Sequence, residues 1–313
     1  MANGDNIHLA ERYSDKVAER FKMKSLATGF TNRDYNWTGV KTLKIYSIPT
    51  VALEDYGRHS EILAGATAGT GSTITDAGVS RYGHIRDLED TIQTAQVTQD
   101  KSFTFAIDKG DKMDSMNVRD AGKALRREID EVIVPTQDKY TFTQIAKGAL
   151  LNDGTTASDG TTKHTVGEGE LSASTVYAAF LAGQTALDNL LVPAGGRVAA
   201  VNASTLALLK QSEAFVKASE IGQKMLINGQ VGEVDGVKIV KVPDRYLPST
   251  CQFIITHPSV TVKAEKLADY KIHVNPPFLS GNLVEGRVYY DAIVIDAKKD
   301  GIYAHFQTKP DSL

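Results

Sequence analysis

The sequence predicts an α+β fold, in which one long helix, a compact mixed module and a set of late strands occupy separate parts of the chain. Three observations carry this prediction. A helical apolar stripe surrounds Pro135, residues 170 to 257 mix short strands with short helices, and residues 284 to 306 have the spacing of strands. The composition, 42% hydrophobic and 23% charged over 313 residues, is that of an ordinary globular protein.

The first hundred residues predict segments that need another surface to lie on. Residues 6 to 28 have a loose helical period without a strong apolar face. Residues 40 to 49 and 96 to 107 have strand-like alternation, and residues 57 to 83 between them are rich in Gly, Thr and Ser. We therefore expect a two-stranded excursion over residues 40 to 108. Because an isolated hairpin is only marginally stable in water, it must pack on a neighbour or over its own body.

The next segment predicts a long, bent helix. Ser115 or Asn117 can cap it, because both residue types accept a hydrogen bond from the first turn. Pro135 lacks an N–H and clashes with the preceding turn, so the helix should bend or stop there. Its apolar positions, spaced by three or four residues, are Val118, Ala121, Leu125, Ile129, Val132 and Ile133, and the stripe resumes at Tyr140, Ile145 and Leu150.

Turn residues from 152 to 169 mark a first domain boundary, after which a compact mixed module is predicted. Its first helix opens at Ser172 or Ser174 and stops before Pro193. The later elements are a strand at 197 to 201, a helix at 203 to 211, a hairpin punctuated by Asn228-Gly229 and Asp235-Gly236, and strands at 237 to 242 and 253 to 255. The late strands, 284 to 295 and 302 to 306, are expected to return to the long helix.

Composition and charge exclude several classes of function. A formal net charge of −3 gives no general attraction to phosphate. The sequence contains no basic run interleaved with aromatic residues, so we do not expect it to read nucleic acid directly. Cys251 is the single cysteine, which excludes a disulfide framework and a thiolate metal cluster. The charged N-terminus predicts no signal peptide, and no apolar window approaches the roughly 18 residues that span a bilayer. We therefore expect the protein to remain in the cytoplasm in which it is synthesised.

No catalytic, cofactor-binding or metal-binding residue is predicted, and no enzyme activity is expected. The glycines from Gly65 to Gly71 lack the lysine of a phosphate loop. Asp108, Asp111 and Asp114 lack the closing Glu of a calcium loop, and a solvated turn explains them. Ser172, Ser204 and Ser259 have no nucleophile-elbow context. No pair at metal-ligand spacing occurs among the histidines, which are His8, His59, His84, His164, His257, His273 and His305.

The order of these elements resembles the major capsid protein of tailed bacteriophages, over nearly the whole chain from about Ala10 to Phe306. The motifs that carry the resemblance are Arg127-Glu128-Ile129-Asp130, Val134-Pro135, Asp138-Lys139-Tyr140, Gly286-Arg287-Val288-Tyr289-Tyr290-Asp291, and Lys298 followed by Gly301-Ile302-Tyr303. None is a catalytic signature, and their order and spacing together give the resemblance its specificity. The charge run from Arg126 to Glu131 is typical of the wet face of a helix, and in a shell it could pair across subunits.

The resemblance implies the Hong Kong-type phage capsid fold. It implies an N-terminal arm at 1–38, an extended E-loop at 39–108, a P-domain with a spine helix at 109–150, an A-domain at 151–257, and C-terminal P-domain strands at 258–313. It further implies hexamers and pentamers of this chain that close into an icosahedral head around double-stranded DNA. The implied partners are the chain itself, a portal, a scaffolding protein, decoration proteins, and DNA contacted without sequence specificity; no membrane and no cofactor are implied.

Two departures from relatives give further expectations. The resemblance begins within the first dozen residues, so we expect a separate scaffolding protein and not a fused scaffolding domain. Relatives that cross-link their mature shell use an E-loop lysine, whereas no Lys occurs between Lys44 and Lys101. We therefore expect a shell without isopeptide bonds.

Two other functions remain open from the sequence. An encapsulin-like compartment would share the fold and enclose a cargo protein, and the nature of the enclosed material would separate it from a virion. A soluble hydrolase or binding domain would act as a monomer or dimer and would sediment slowly.

Overall fold

The computed structural model describes residues 25–35, 37, 42–51, 53, 88, 90–114, 120–156, 160–212 and 232–313. The chain divides into two compact units: the first comprises Met1–Lys41 and Val97–Leu313, and the second is Thr42–Gln96. The fold is α+β, as predicted. Its helices are α1 (Lys109–Asp114), α2 (Ala121–Glu128), α3 (Val134–Asn152), α4 (Val176–Asn189) and α5 (Ala203–Gln211). No helix among the described residues is long and apolar enough to cross a membrane.

The strands form three sheets. Strands β1 and β2 form a two-stranded sheet, β3, β10 and β9 form a second sheet in that order, and β4, β11, β8, β5, β7 and β6 form a third. Their bounds are β1 (Thr42–Ser47), β2 (Thr91–Gln96), β3 (Gln99–Asp108), β4 (Val166–Glu168), β5 (Val198–Asn202), β6 (Glu233–Val234), β7 (Val237–Val242), β8 (Cys251–Thr256), β9 (Thr261–Val274), β10 (Gly281–Val294) and β11 (Ile302–Phe306).

The strand pairing differs from the two-stranded excursion predicted over residues 40 to 108. Strand β1 pairs antiparallel with β2, in a register that places Tyr46 opposite Ile92. The segment predicted as the second strand, 96 to 107, is instead β3, which pairs antiparallel with β10 along its whole length. Alternation alone assigns a segment to a strand but does not select its partner, and this explains the error.

Strand β9 was missed by sequence reasoning. Its burial alternates only over its first residues, where Val262 and Ala264 are buried, and its second half is exposed and rich in charge. It nevertheless pairs antiparallel with β10 over nearly its full length. The backbone ladder with β10 therefore holds β9 in a strand where side-chain pattern does not.

The long helix neither stops nor breaks at Pro135. Asp120 caps α2 through a 3.0 Å hydrogen bond from the Lys123 amide, so the cap is neither Ser115 nor Asn117, which lie outside the described residues. A π-helical turn, Ile129–Ile133, then joins α2 to α3. Pro135 is the second residue of α3 and follows this π-helical turn directly, so the helix continues through the proline with a local change of helical type before it.

Strand β11 belongs to the six-stranded sheet, where it pairs antiparallel with β8 and parallel with β4. The expected module at 151–257 is thus completed by a strand from the expected P-domain segment 258–313. All five residues of β11 are buried, as expected of a strand that lies between two neighbours in a sheet covered on both faces. The helix over 203–211 and the strand over 237–242 occur as predicted. The predicted turn at Asn228-Gly229 lies outside the described residues.

Helix α3 is the element around which the main core forms. Phe142, Ile145 and Ala149 are fully buried, and the ring of Phe30 meets that of Phe142 edge-on at 5.2 Å. A Cβ added at Gly148 would lie 3.1 to 3.2 Å from the side chains of Val294 and Ile302, at the end of β10 and the start of β11. The late strands therefore return to the long helix, as predicted.

Candidate functional site

Among the described residues, only Ser259 and His257 come together out of the serines, histidines and aspartates that were weighed as functional candidates. Ser172 precedes α4 and bonds locally to Ser174 and Thr175, whereas Ser204 lies at the start of α5 beside Asp244. The Asp108 carboxylate accepts a 2.7 Å hydrogen bond from the Gly110 amide at the start of α1, as expected of a turn. Among the described residues, no group of three or more His, Cys, Asp or Glu could hold a metal ion. The segment from Gly65 to Gly71 and His8, His59 and His84 lie outside the described residues.

One Ser–His contact resembles the start of a catalytic pair. Nδ1 of His257 lies 2.7 Å from the Ser259 hydroxyl, and the same ring nitrogen accepts from the Ser259 amide at 3.3 Å. His257 immediately precedes the 3-10 turn Pro258–Val260, so this arrangement satisfies a helix N-terminus. No hydrogen bond from its other ring nitrogen to a carboxylate occurs among the described residues, and such a bond is what orients a catalytic imidazole.

Two titratable side chains of the six-stranded sheet, Cys251 and His305, are buried. Burial raises the pKa of the Cys251 thiol far above its ordinary value, which leaves it protonated. Burial also lowers the pKa of His305, although a hydrogen bond to the Gly169 carbonyl opposes this shift. The His305 ring stacks parallel on Phe253 with centroids 5.1 Å apart. Both side chains therefore act in packing.

The outer face of the three-stranded sheet carries neutralised charge. It forms an open groove of about 420 Å³. The Arg287 hydrogen bonds and charge hold the pKa of the Asp100 carboxyl below its ordinary value. Both groups are solvent-exposed, so the pair contributes little stability. The ion pairs on this face are Asp100 with Arg287 and Asp269 with Lys271, and the Nε2 atom of His273 lies 3.2 Å from the Glu285 carboxylate.

The inner face of the same sheet packs on the helix and leaves an apolar groove of about 190 Å³. Val132 and Ile133 line it from the π-helical turn, and Phe103, Val288 and Tyr290 line it from the sheet. In register, Phe103 lies opposite Gly286 on β10, and Gly286 lies opposite Tyr270 on β9. A Cβ at Gly286 would lie 2.2 Å from the Phe103 ring. The absence of a side chain at Gly286 therefore leaves room for the Phe103 ring to lie over strand β10.

Two buried carboxylates hold the helix to its neighbours. Asp138 is 2% exposed and accepts hydrogen bonds of 2.7 Å from the Ser25 hydroxyl and from the Leu26 amide. Asp291 is 5% exposed and accepts from Thr98 and Tyr140. Both acids fall within the motifs quoted above, but sequence reasoning gave them no structural role. The sequence offered one signal, which is that the helical period places Asp138, and the strand period places Asp291, on a buried face.

The ribbon formed by β1 and β2 presents a stripe of large apolar side chains to solvent. Tyr46 and Ile92 are cross-strand partners, Ile48 directly follows β1, and Leu88 precedes β2. These four side chains are between 46% and 64% exposed. We call them the ribbon stripe. A two-stranded sheet with an uncovered apolar face is marginally stable on its own, so the ribbon stripe is suited to contact another surface.

Comparisons with known proteins identify the fold. The chain matches a structure from Mycobacterium phage Che8 with a TM-score of 0.71 and 18% identity, over 97% of this chain and 99% of that one. It matches the capsid structure of Cyanophage P-SCSP1u with a TM-score of 0.68 and 14% identity, over 96% and 93%. It matches the mature capsid of bacteriophage PhiM1 with a TM-score of 0.66 and 14% identity, over 96% and 92%. No protein-family model and no curated protein sequence matches the chain.

These similarities define the class of protein by its fold: the chain has the α+β fold of tailed-phage capsid structures. The similarity covers nearly the whole of each chain, so it describes the complete architecture and not one shared motif. The Hong Kong-type phage capsid fold that the resemblance implied is confirmed.

Proposed function

We propose that this chain is the major capsid protein of a tailed bacteriophage, which assembles as hexamers and pentamers into an icosahedral head around double-stranded DNA. The observation that carries the proposal is the match to phage capsid structures over 96% of the chain. An enclosed cargo protein in place of DNA would support the encapsulin-like alternative.

The parts of the fold receive roles within this proposal. We assign residues 42–96 to the E-loop, because they form a compact unit of their own. The spine helix and the three-stranded sheet correspond to the P-domain, and the six-stranded sheet with α4 and α5 corresponds to the A-domain. The base of the N-terminal arm is the segment that Asp138 holds through Ser25 and Leu26.

The partners and location follow from the same proposal. A separate scaffolding protein, a portal and decoration proteins would act on the shell, which forms in the host cytoplasm and remains in the virion. The described part of the E-loop presents the ribbon stripe as its surface for a neighbouring copy. The absence of lysine between Lys44 and Lys101 supports a shell without isopeptide bonds, and a ladder of covalent oligomers on a denaturing gel would contradict this.

The test is assembly of the chain expressed alone and with a candidate scaffolding protein, followed by size-exclusion chromatography and negative-stain electron microscopy. We expect closed shells, tubes or rings of five and six subunits for the wild type. A small monomer under both conditions would overturn the proposal and favour a soluble domain. DNA recovered from shells made in the presence of the portal would favour the virion over the encapsulin-like compartment.

A pair of double variants tests the role of the ribbon stripe. Tyr46→Asp with Ile92→Asp places two carboxylates on the stripe, and we expect it to prevent shell formation. Thr42→Asp with Gln96→Asp is the matched control, because these exposed polar residues also pair across the ribbon. The control should assemble. If both variants assemble like the wild type, the ribbon stripe is not the contact, while the capsid function stands.

A further inference from the structure

Three side chains meet at the C-terminal end of α3 and share one carboxylate. Nζ of Lys163 lies 2.7 Å from Oδ1 and 2.9 Å from Oδ2 of Asp300. The side-chain amide of Asn152 donates a 2.8 Å hydrogen bond to the same Oδ1. The Asp300 carboxylate therefore holds an amine and a carboxamide side by side. We call Asn152, Lys163 and Asp300 the lysine triad.

The backbone fixes the position of each member of the lysine triad. Asn152 is the last residue of α3, and Asp300 lies in the 3-10 turn Asp296–Gly301 that leads into β11. The amide of Lys163 donates a 2.8 Å hydrogen bond to the Thr155 carbonyl, and the carbonyl of Lys163 accepts a 2.9 Å hydrogen bond from the Gly154 amide. The geometry of the triad therefore rests on three backbone elements and not on the charges alone.

Water has limited access to the lysine triad. Asn152 is fully buried, and the side chains of Lys163 and Asp300 are 13% and 34% exposed. Withdrawal from water raises the free energy of an ion pair relative to its neutral form. Transfer of a proton from the ammonium to the carboxylate consequently costs less here than it does in bulk water. The neutral amine that results is a nucleophile, which the ammonium is not.

We propose that the lysine triad forms an isopeptide bond between Nζ of Lys163 and Cγ of Asn152. The ammonium gives one proton to Asp300, and the free amine attacks Cγ. Asp300 passes that proton to Nδ2 of Asn152, the bond from Cγ to Nδ2 breaks, and ammonia leaves with a second proton from the attacking nitrogen. An ammonium group and a carboxamide thus become a secondary amide and an ammonium ion. The Asp300 carboxylate is regenerated, and no oxidant or reductant is required.

Thr155 is placed to stabilise the charge that develops during the attack. Its hydroxyl lies 3.3 Å from Oδ1 of Asn152 and donates a 2.7 Å hydrogen bond to the main-chain carbonyl of the same residue. Negative charge accumulates on Oδ1 when the amine adds to Cγ, and a hydrogen-bond donor at that position lowers the barrier. The hydroxyl can turn from one acceptor to the other, because both lie within its reach.

A second lysine near a carboxamide shows what the lysine triad adds. Nζ of Lys263 donates a 3.4 Å hydrogen bond to Oε1 of Gln137 and lies 3.9 Å from the Glu265 carboxylate. In the part of the chain that the structure describes, no carboxylate accepts hydrogen bonds from both Lys263 and the Gln137 amide. This pair lacks a shared proton carrier, so we expect no bond between Lys263 and Gln137.

The proposed bond joins two residues of one chain that are eleven positions apart. It leaves neighbouring subunits unjoined and is consistent with a shell that gives no ladder of covalent oligomers. It would fasten the turn before β11 and the hairpin of Lys163 to the end of the long helix. The inference goes beyond the capsid function and does not depend on assembly.

The test is the intact mass of the full-length folded chain, measured after denaturation. The wild type should be lighter than its sequence requires by the mass of one ammonia, and tandem mass spectrometry of a digest should place the link between Asn152 and Lys163. Lys163→Arg keeps the positive charge but removes the amine, and Asp300→Asn removes the proton carrier. Both variants should have the full mass, with circular dichroism used to confirm that each is folded. Lys309→Arg is the matched control, because this lysine pairs with Asp153 nearby, and it should keep the mass loss.

Four outcomes would overturn the inference. The folded wild type could retain its full mass after prolonged incubation. Lys163→Arg could keep the mass loss, which would indicate a succinimide at an asparagine and not a link to lysine. The folded Asp300→Asn variant could form the bond as the wild type does, which would remove the role given to the carboxylate. The wild type could instead lose water, with a link between Lys163 and Asp300. None of these results bears on the capsid function, because the mass measurement does not need a shell.

Discussion

The hydroxyl of Tyr140 donates a 2.8 Å hydrogen bond to Oδ1 of Asp291, and this bond joins the long helix to strand β10. The other carboxylate oxygen of Asp291 accepts from the amide and hydroxyl of Thr98, each at 2.8 Å. Tyr140 also meets the ring of Tyr290 edge-on, with centroids 5.8 Å apart. Asp291 thus connects the helix, β10 and the residue that leads into β3.

Tyr140→Phe should lower the free energy of unfolding by about 1.5 to 3 kcal/mol, because it removes a hydrogen bond to a buried carboxylate. Chemical denaturation followed by far-ultraviolet circular dichroism measures this change. Tyr289→Phe is the matched control, since its hydroxyl donates at 2.8 Å to the neutral carbonyl of Val97, and it should cost about 1 kcal/mol. An equal or larger loss for Tyr289→Phe would contradict the role given to the charge on Asp291.

Tyr303 should make the protein lose stability in alkali. Burial raises its pKa to about 12, and the Asp153 carboxylate adds to the shift. Because the folded state holds this proton more tightly than the unfolded state, the contribution is complete below pH ~10 and is lost as the pH rises to about 12. Tyr303→Phe should flatten that fall by up to about 1.4 kcal/mol per pH unit. Denaturation at fixed pH values across this window measures the slope, and an unchanged slope would contradict the prediction.

Much of the fold followed from local patterns, and the remainder depended on pairing between distant segments. Apolar periodicity was sufficient for α5 and β7, where a buried face repeats within a few residues. It could not assign β3 to β10 or β11 to β8, since those partners are separated by long stretches of chain. Strand β9 has too polar a second half to be read as a strand.

The functional surfaces were less predictable than the fold. The ribbon stripe has a signal in the sequence, because Tyr46 and Ile48 alternate along one predicted strand. Their pairing with β2, and hence the exposure of the stripe, required the register of the sheet.

Gly286→Ala should destabilise the protein by about 1 to 3 kcal/mol, the usual cost of overpacking, although alanine is ordinarily preferred to glycine within a strand. The added Cβ would lie 2.2 Å from the Phe103 ring and 2.9 Å from the Tyr270 ring. Thermal unfolding of the single variants and of Gly286→Ala combined with Phe103→Ala completes a double-mutant cycle. The loss caused by Gly286→Ala should shrink when Phe103 is already alanine. Additive losses would show that Gly286 has some other role than admitting this ring.

Asp138→Asn should release the base of the N-terminal segment before the rest of the fold unfolds. The carboxylate accepts from both the Ser25 hydroxyl and the Leu26 amide at 2.7 Å, and an amide group would turn one nitrogen toward one of these donors. Leaving one buried donor unsatisfied costs about 2 kcal/mol, which corresponds to about a thirtyfold rise in local opening. Hydrogen exchange at the Leu26 amide and through Ala27–Phe30 measures that opening. Thr28→Ala is the matched control, because its hydroxyl bonds at 3.1 Å to Ser25 from an exposed position, and it should leave exchange nearly unchanged. If exchange through Ala27–Phe30 rises only in step with global unfolding, Asp138 stabilises the fold as a whole and does not anchor this segment separately.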